Sequence, residues 1–276
     1  MRRSLEGADF VLHTATLHKP HIGSHGLQAF VDTNITGTLT LLEEAVGAGV
    51  SGFVFTSTTS VFGRALAPAV ATPATWVTED LVPVPRNVYG VTKLATEDLC
   101  ELISRDHGLP CVVLRTSRFF PEGDDLDEVR ATYEDANVKA NELLYRRVDL
   151  EDVVSAHRLA MDRAPDIGFG RYIVSATSPF EPDDLAELRA DAPAVVRRYF
   201  PDYETVYSEL GWRMFPTIDR MYVNGRARSA LGWAPRYDFR HALDSLKAGQ
   251  DLRSPLAKAV GAKGYHATST GPYTSR

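Results

Sequence analysis

Three short runs rich in β-branched and aromatic residues constrain this chain most. They are DFVLH ending at His13, GFVFTST over residues 52–58, and PCVVLRTSRF starting at Pro110. Each is long enough for one buried strand, and the segments between them have helical spacing. In ITGTLTLLEEAVGAG, Leu39, Leu42 and Ala45 fall on one face, and Gly47 and Gly49 close the helix. Thr33 and Asn34 precede it; Asn34 is suited either to capping its N-terminus or to a role in a site. NVYGVTKLATEDLCELISRDHG reads as a longer helix that stops at Gly108. Strand, helix, strand, helix, strand requires crossover connections and predicts a parallel sheet covered by helices.

Further along, PEGDDLDEVRATYEDANVKANE is polar and reads as a loop with a surface helix. VDLEDVVSAHRLAMDRAP reads as a helix entered through Asp149, GRYIVSA as another strand, and SPFEPDDLAELRAD as a helix start. The expected organisation is a Rossmann-like α/β domain over 1–175, to which 118–147 contributes a piece of a second lobe. A smaller substrate lobe and tail follow over 176–276. The tail beginning DLRSPLAKAVGAKGYH is polar and is expected to be partly ordered.

The net charge of −6 argues against a nucleic-acid or membrane-surface binder, since both need clustered excess Lys and Arg. Two cysteines, Cys100 and Cys111, do not make a disulfide framework and read as buried free thiols. No stretch has metal-ligand spacing. His13, His18, His21 and His25 lie across a loop without cysteine or carboxylate partners and are expected to line a cofactor site, not a metal. No apolar run of 18 residues occurs, and a cytoplasmic protein is the default expectation.

The chemistry points to Tyr89-Gly90-Val91-Thr92-Lys93. Tyr89 and Lys93, four apart, share one helix face. An ammonium near a phenol is expected to favour phenolate and lower the Tyr89 pKa. The preceding strand ends in hydroxyls from Thr56 to Ser60, and ligands of open parallel sheets sit beyond the strand C-termini. A hydroxyl there, facing the Tyr/Lys pair, makes a site for a carbonyl or an alcohol. Thr58 is the favoured hydroxyl, although Thr59 or Ser60 could serve, and Thr58 could simply cap the strand end.

GADFVLHTA, TNITGTLTLLEEA, FVFTSTTSVFG, NVYGVTKLATE, VDLEDVVSAH and ARSALGWAPRYDF occur in that order. In this the chain resembles the extended short-chain dehydrogenase/reductases, the NAD(P)-dependent epimerase/dehydratase family that includes the UDP-sugar 4-epimerases. The resemblance runs from about Leu5 to Leu243. It implies a doubly wound sheet, NAD or NADP as cofactor, and a small-molecule substrate, in the leading version a nucleotide sugar. It implies Thr58, Tyr89 and Lys93 as the catalytic set, with Lys93 also holding the nicotinamide ribose. Ala15, Thr56, Ser57 and Thr116 match positions beside the cofactor; Thr58, Thr59 and Arg118 match positions beside the substrate. Family members often dimerise through the Tyr/Lys helix, so a homodimer is possible.

The chain departs from the family in three places. The Gly-x-x-Gly-x-x-Gly turn that carries pyrophosphate is absent, and HIGSHGLQAF is not a substitute because it lacks the third glycine. Thr59-Ser60 stands where dehydratases have Asp-Glu, which weighs against elimination chemistry. Arg118 replaces an expected Asn, and reads either as an anion clamp or as a salt-bridge residue. GADFVLHTA then corresponds to a fourth strand, and the sequence reads as N-terminally truncated, with two βαβ units missing ahead of it. The strand is expected to form a bare sheet edge, with weak cofactor binding and poor solubility. The leading function is a nucleotide-sugar 4-epimerase. The alternatives are an NADP-dependent ketone or aldehyde reductase and a non-catalytic binding protein.

Overall fold

The computed structural model describes residues 2–69, 71–124 and 126–261. The expected alternation is present. Strand β1 (Phe10–His13) leads through a loop into helix α1 (Gly37–Ala48), then β2 (Gly52–Thr58). A short strand β3 (Thr75–Val77) precedes helix α2 (Val88–His107) and β4 (Cys111–Thr116). Helix α3 (Leu150–Ile167) and β5 (Phe169–Val174) complete the first lobe. The main sheet has the order β1-β2-β4-β5 and is parallel throughout, with Phe53 opposite Cys111 and Thr58 opposite Thr116. Among the described residues β1 pairs with β2 alone, so it is the edge strand that its position in the sequence led us to expect.

Alternation along each strand sorts the core into two layers. Phe53 and Phe55 of β2 and Cys111 and Val113 of β4 pack under α1 and α2, beside Leu42 and Ile103. Val54, Val112 and Leu114 face the other way, against Val153, Ala156 and Ala160 of α3. Helix ends follow their local chemistry. Asn87 accepts the Gly90 N–H at the start of α2, Asp149 accepts the Glu151 N–H at the start of α3, and Gly108 closes α2 in the left-handed region.

Two expectations change. The helix through α1 starts earlier, at Leu27, and runs through a wide π-type stretch at Val31–Thr36, so Asn34 lies inside the helix and is not its N-cap. Residues Asp135–Leu143 form a helix that is not on the surface: Val138, Ala140 and Leu143 are buried in the core of the second lobe. Between β2 and α2, β3 pairs in parallel with a strand β6 (Arg220–Tyr222) far along the chain. Trp233 of the GWAPRYDF motif packs on the α3 side of the main sheet, with its indole N–H donated to Ser155 Oγ at 2.9 Å. Of the polar tail, Pro255–Val260 is helical, and the part from 262 onward lies outside the described residues.

Glu97 of α2, a fully buried carboxylate, ties the layers together. Arg115 of β4 donates to it at 2.7 Å, Ser57 of β2 donates at 2.5 Å, and the Arg171 guanidinium of β5 lies 3.3 Å away. Removing one member of a buried pair strands the other without a partner, at a cost of about 3–5 kcal/mol. Glu97→Ala should lower the unfolding free energy by about that amount in a denaturant titration. A loss under about 1 kcal/mol, the range of an exposed pair, would show that the cluster is incidental.

Candidate functional site

A cleft of about 760 Å³ opens at the C-terminal ends of the strands. That position follows from the topology, because crossover helices leave the strand ends as the accessible face of a parallel sheet. Its walls come from Leu12 and Thr14 after β1, residues 56–60 at the end of β2, residues 116–120 after β4, and the first turns of α3. The second lobe closes it with Arg146, Arg220 and Tyr222.

Tyr89 lies in the first turn of α2, 3% exposed, and lines the cleft together with Thr58. Thr58 accepts the Ser60 N–H at 3.1 Å, so it also caps the strand end. Lys93, one turn on, is 1% exposed, with its ammonium 3.9 Å from the centre of the Phe55 ring. The two groups are therefore on one face, as their spacing requires, but the expected lowering of the tyrosine pKa does not occur. Burial pushes the Tyr89 phenol up and pulls Lys93 down to about 7, the latter opposed by Glu97. Desolvation penalises phenolate and ammonium alike, and here it outweighs the charges nearby.

The remaining sequence-predicted residues divide. Thr56 and Thr116 line the cleft; Thr56 is bonded to His157, and Thr116 donates to the Ser57 carbonyl at 2.9 Å. Ser57 reaches the cleft wall, but its hydroxyl is donated to Glu97. Thr59 is buried at the cleft wall. Ala15 is exposed and lies outside the lining, although Thr14 and Thr16 on either side belong to it. Arg118 reaches the cleft as a salt-bridge residue, donating to Asp124 at 2.6 Å and Glu142 at 2.9 Å.

The histidines separate as well. His13 is a core residue of β1, 2.7 Å from Thr38 Oγ1 and held down to about 4 by burial and by Lys93. His18 lines the cleft, with its ring centre 4.9 Å from that of Tyr89 and 4.6 Å from that of Phe120. Burial, more than the charges around it, lowers His18 to about 3. No group of three or more potential ligands gathers for a metal among the described residues. Asn34 is the latch for this loop. Its Oδ1 accepts the Leu17 N–H at 2.7 Å and the Thr16 hydroxyl at 2.9 Å, and its Nδ2 donates to Thr92 of α2 at 3.0 Å.

His157 and the second-lobe residues Arg220 and Tyr222 were missed from sequence. His157 sits inside a segment that was already recognisable, whereas nothing local marks the other two.

The nicotinamide end of a dinucleotide fits this site: hydroxyls and a phenol line the cleft where the sheet ends, while the buried Lys93 amine lies outside the lining. The pyrophosphate end needs glycine backbone at a helix N-terminus. Gly23 and Gly26 do not supply it. Neither has a positive φ, and a Cβ at either would meet nothing within 4 Å, so neither marks a close approach. Gly63 lines the cleft with φ +51, but there a side chain would run into the Val84 carbonyl, so protein packing explains it.

A helix-covered parallel sheet of order β1-β2-β4-β5 with its cleft at the strand ends is a doubly wound α/β fold. The chain belongs to the NAD dependent epimerase/dehydratase family, whose model matches residues 1–172. It is 36% identical over 265 residues to a UDP-glucose 4-epimerase of Rhizobium meliloti, covering 85% of this chain and 75% of that one. It is 27% identical over 234 residues to the GDP-6-deoxy-D-mannose reductase of Pseudomonas aeruginosa, covering 80% and 73%. A match at 34% identity to a UDP-glucose epimerase of Bacillus subtilis, itself uncharacterised, spans 40% of this chain and only 33% of that protein. Among solved structures, RMD from Pseudomonas aeruginosa complexed with NADPH shares the fold at a TM-score of 0.56 and 22% identity, covering 92% of this chain and 86% of that one. Among the described residues no helix is long and apolar enough to cross a membrane.

Lys93 gives the site a measurable signature. Its folded pKa, about 7, lies below the unfolded value of 10.5, so between those limits the unfolded chain binds more protons. Stability from this group therefore rises with pH from about 7 to 10.5, and its cost is fully present below about 7. Lys93→Met should flatten that rise in denaturant titrations across the window. An unchanged slope would mean that Lys93 keeps its ordinary affinity for protons.

Proposed function

We propose that this chain is an NAD(P)-dependent enzyme acting at a secondary alcohol or ketone carbon of a nucleotide sugar, of the 4-epimerase type. The observation that carries the reading is that Thr58, at the end of β2, and Tyr89, in the first turn of α2, line one cleft at the strand ends, with Lys93 one turn further along α2. The 36% identical UDP-glucose 4-epimerase supports the sugar-nucleotide substrate.

In this reading Thr58 and Tyr89 hold the reacting oxygen of the sugar. Tyr89 takes the hydroxyl proton as the carbon is oxidised and returns it as the carbon is reduced. Lys93, titrating near neutrality, adds positive charge beneath the phenol when protonated and so eases loss of the phenolic proton. When bound, the nicotinamide supplies the hydride acceptor and donor. The hydroxyl-lined wall at residues 56–60 keeps the sugar carbon at the strand ends, and the width of the cleft lets the keto sugar present its other face. No net cofactor is consumed.

The similarity to a GDP-6-deoxy-D-mannose reductase favours a second reading, a reductase that consumes reduced cofactor in proportion to product. Net oxidation of NADPH alongside a ketone substrate would select it. For either reading Tyr89→Phe should lower turnover by about 10²–10⁴-fold, the usual worth of a positioned proton-transfer group, with the thermal unfolding midpoint little changed. Wild-type turnover in that variant would remove Tyr89 from the chemistry.

A further inference from the structure

Thr56 and His157 form a hydrogen bond whose direction can be deduced. His157, on the first turns of α3, is 8% exposed, and its Nδ1 lies 2.8 Å from the Val153 carbonyl oxygen. A carbonyl only accepts, so Nδ1 carries the proton. Burial lowers the His157 pKa, which keeps the ring neutral. In a neutral imidazole the other nitrogen is then a bare acceptor. That nitrogen, Nε2, lies 2.7 Å from Thr56 Oγ1, so the threonine hydroxyl must donate to it. The only hydroxyl proton of Thr56 is thereby spent on His157. Both residues line the cleft, two positions along β2 from Thr58 and on the same strand face.

We propose that Thr56 is a specificity-determining residue that presents only lone pairs to the cleft, and that His157 is the positioning residue that fixes this polarity. The ligand group it selects is a hydrogen-bond donor, either a primary amide N–H or a sugar hydroxyl. A bare acceptor at that place would meet lone pairs and lose a bond. This rests on the proposed function, in which a dinucleotide and a nucleotide sugar share the cleft.

Two measurements test it. Nitrogen-15 NMR of the full chain should show His157 protonated at Nδ1 and bare at Nε2; a proton on Nε2 overturns the proposal. Calorimetric binding then compares NAD with its 3-acetylpyridine analogue, which lacks the amide N–H, and UDP-glucose with its singly deoxygenated analogues. The wild type should prefer the donor-bearing member of one pair by several-fold to about tenfold, the worth of one net hydrogen bond. Thr56→Val should bring that preference to parity and Thr56→Ser should restore it. His157→Leu, which frees the Thr56 proton, should erase the preference while leaving binding of the analogue intact. The pair that responds identifies the source of the donor. Binding with the same preference in Thr56→Val overturns this proposal alone. Failure of the wild type to bind any of these ligands overturns the proposed function and the specificity role together.

Discussion

Glu97 is the group on which the arrangement depends. It has no solvent exposure and is held by Ser57, Arg115 and Arg171, one residue from each of three neighbouring strands. A buried carboxylate is tolerated only with such partners, since removing it from water costs several kcal/mol. Once they are in place, α2 can neither rotate nor slide on the sheet without breaking them. Tyr89, Lys93 and Glu97 are spaced four apart on one helix face, so the carboxylate fixes where the phenol and the amine lie. A structural ion cluster thus sets where Tyr89 meets the cleft, two turns away from the salt bridge itself.

The same burial sets the electrostatics. Tyr89 and Lys93 are both shielded from water, so each favours its neutral form more than it would in solution. Lys93 therefore titrates near neutrality, where a change in its charge is most easily felt by the phenol. His13 and His18, both lowered by burial, stay neutral beside it and add no competing positive charge. The loop that carries His18 is pinned to α2 through Asn34, which sits in the wide stretch of the helix before α1. Such single-turn π stretches frequently mark functional sites, and here the distortion turns an amide inward to latch the cleft wall.

The sequence made the parallel sheet, its covering helices and the Tyr89/Lys93 face legible, because those follow from periodicity and from i,i+4 geometry. It left hidden what depends on distant partners. The β3–β6 pair joins segments far apart in the chain, and nothing local to Thr75–Val77 announces it. Asn34 looked like a cap because its residue type suits one; only the Thr16–Leu17 loop and Thr92 show what it holds. Arg118 could be read two ways until Glu142, in a segment whose polarity suggested surface, proved to be buried beneath it. Nothing in GWAPRYDF shows that Trp233 packs on the main sheet, because an aromatic residue advertises burial but not the layer that receives it. The pKa of Tyr89 was misjudged for a related reason: spacing shows that two groups are close, whereas desolvation depends on everything packed around them.

The central claim is that the strand ends move a hydride at a sugar carbon while Tyr89 handles only the hydroxyl proton. The fate of the carbon-bound hydrogen tests it most directly. UDP-glucose deuterated at C4, turned over in ordinary water with NAD present, should keep its deuterium in the product or deliver it to the nicotinamide. Loss of that deuterium to solvent in step with turnover would mean proton abstraction at carbon, and would contradict the account.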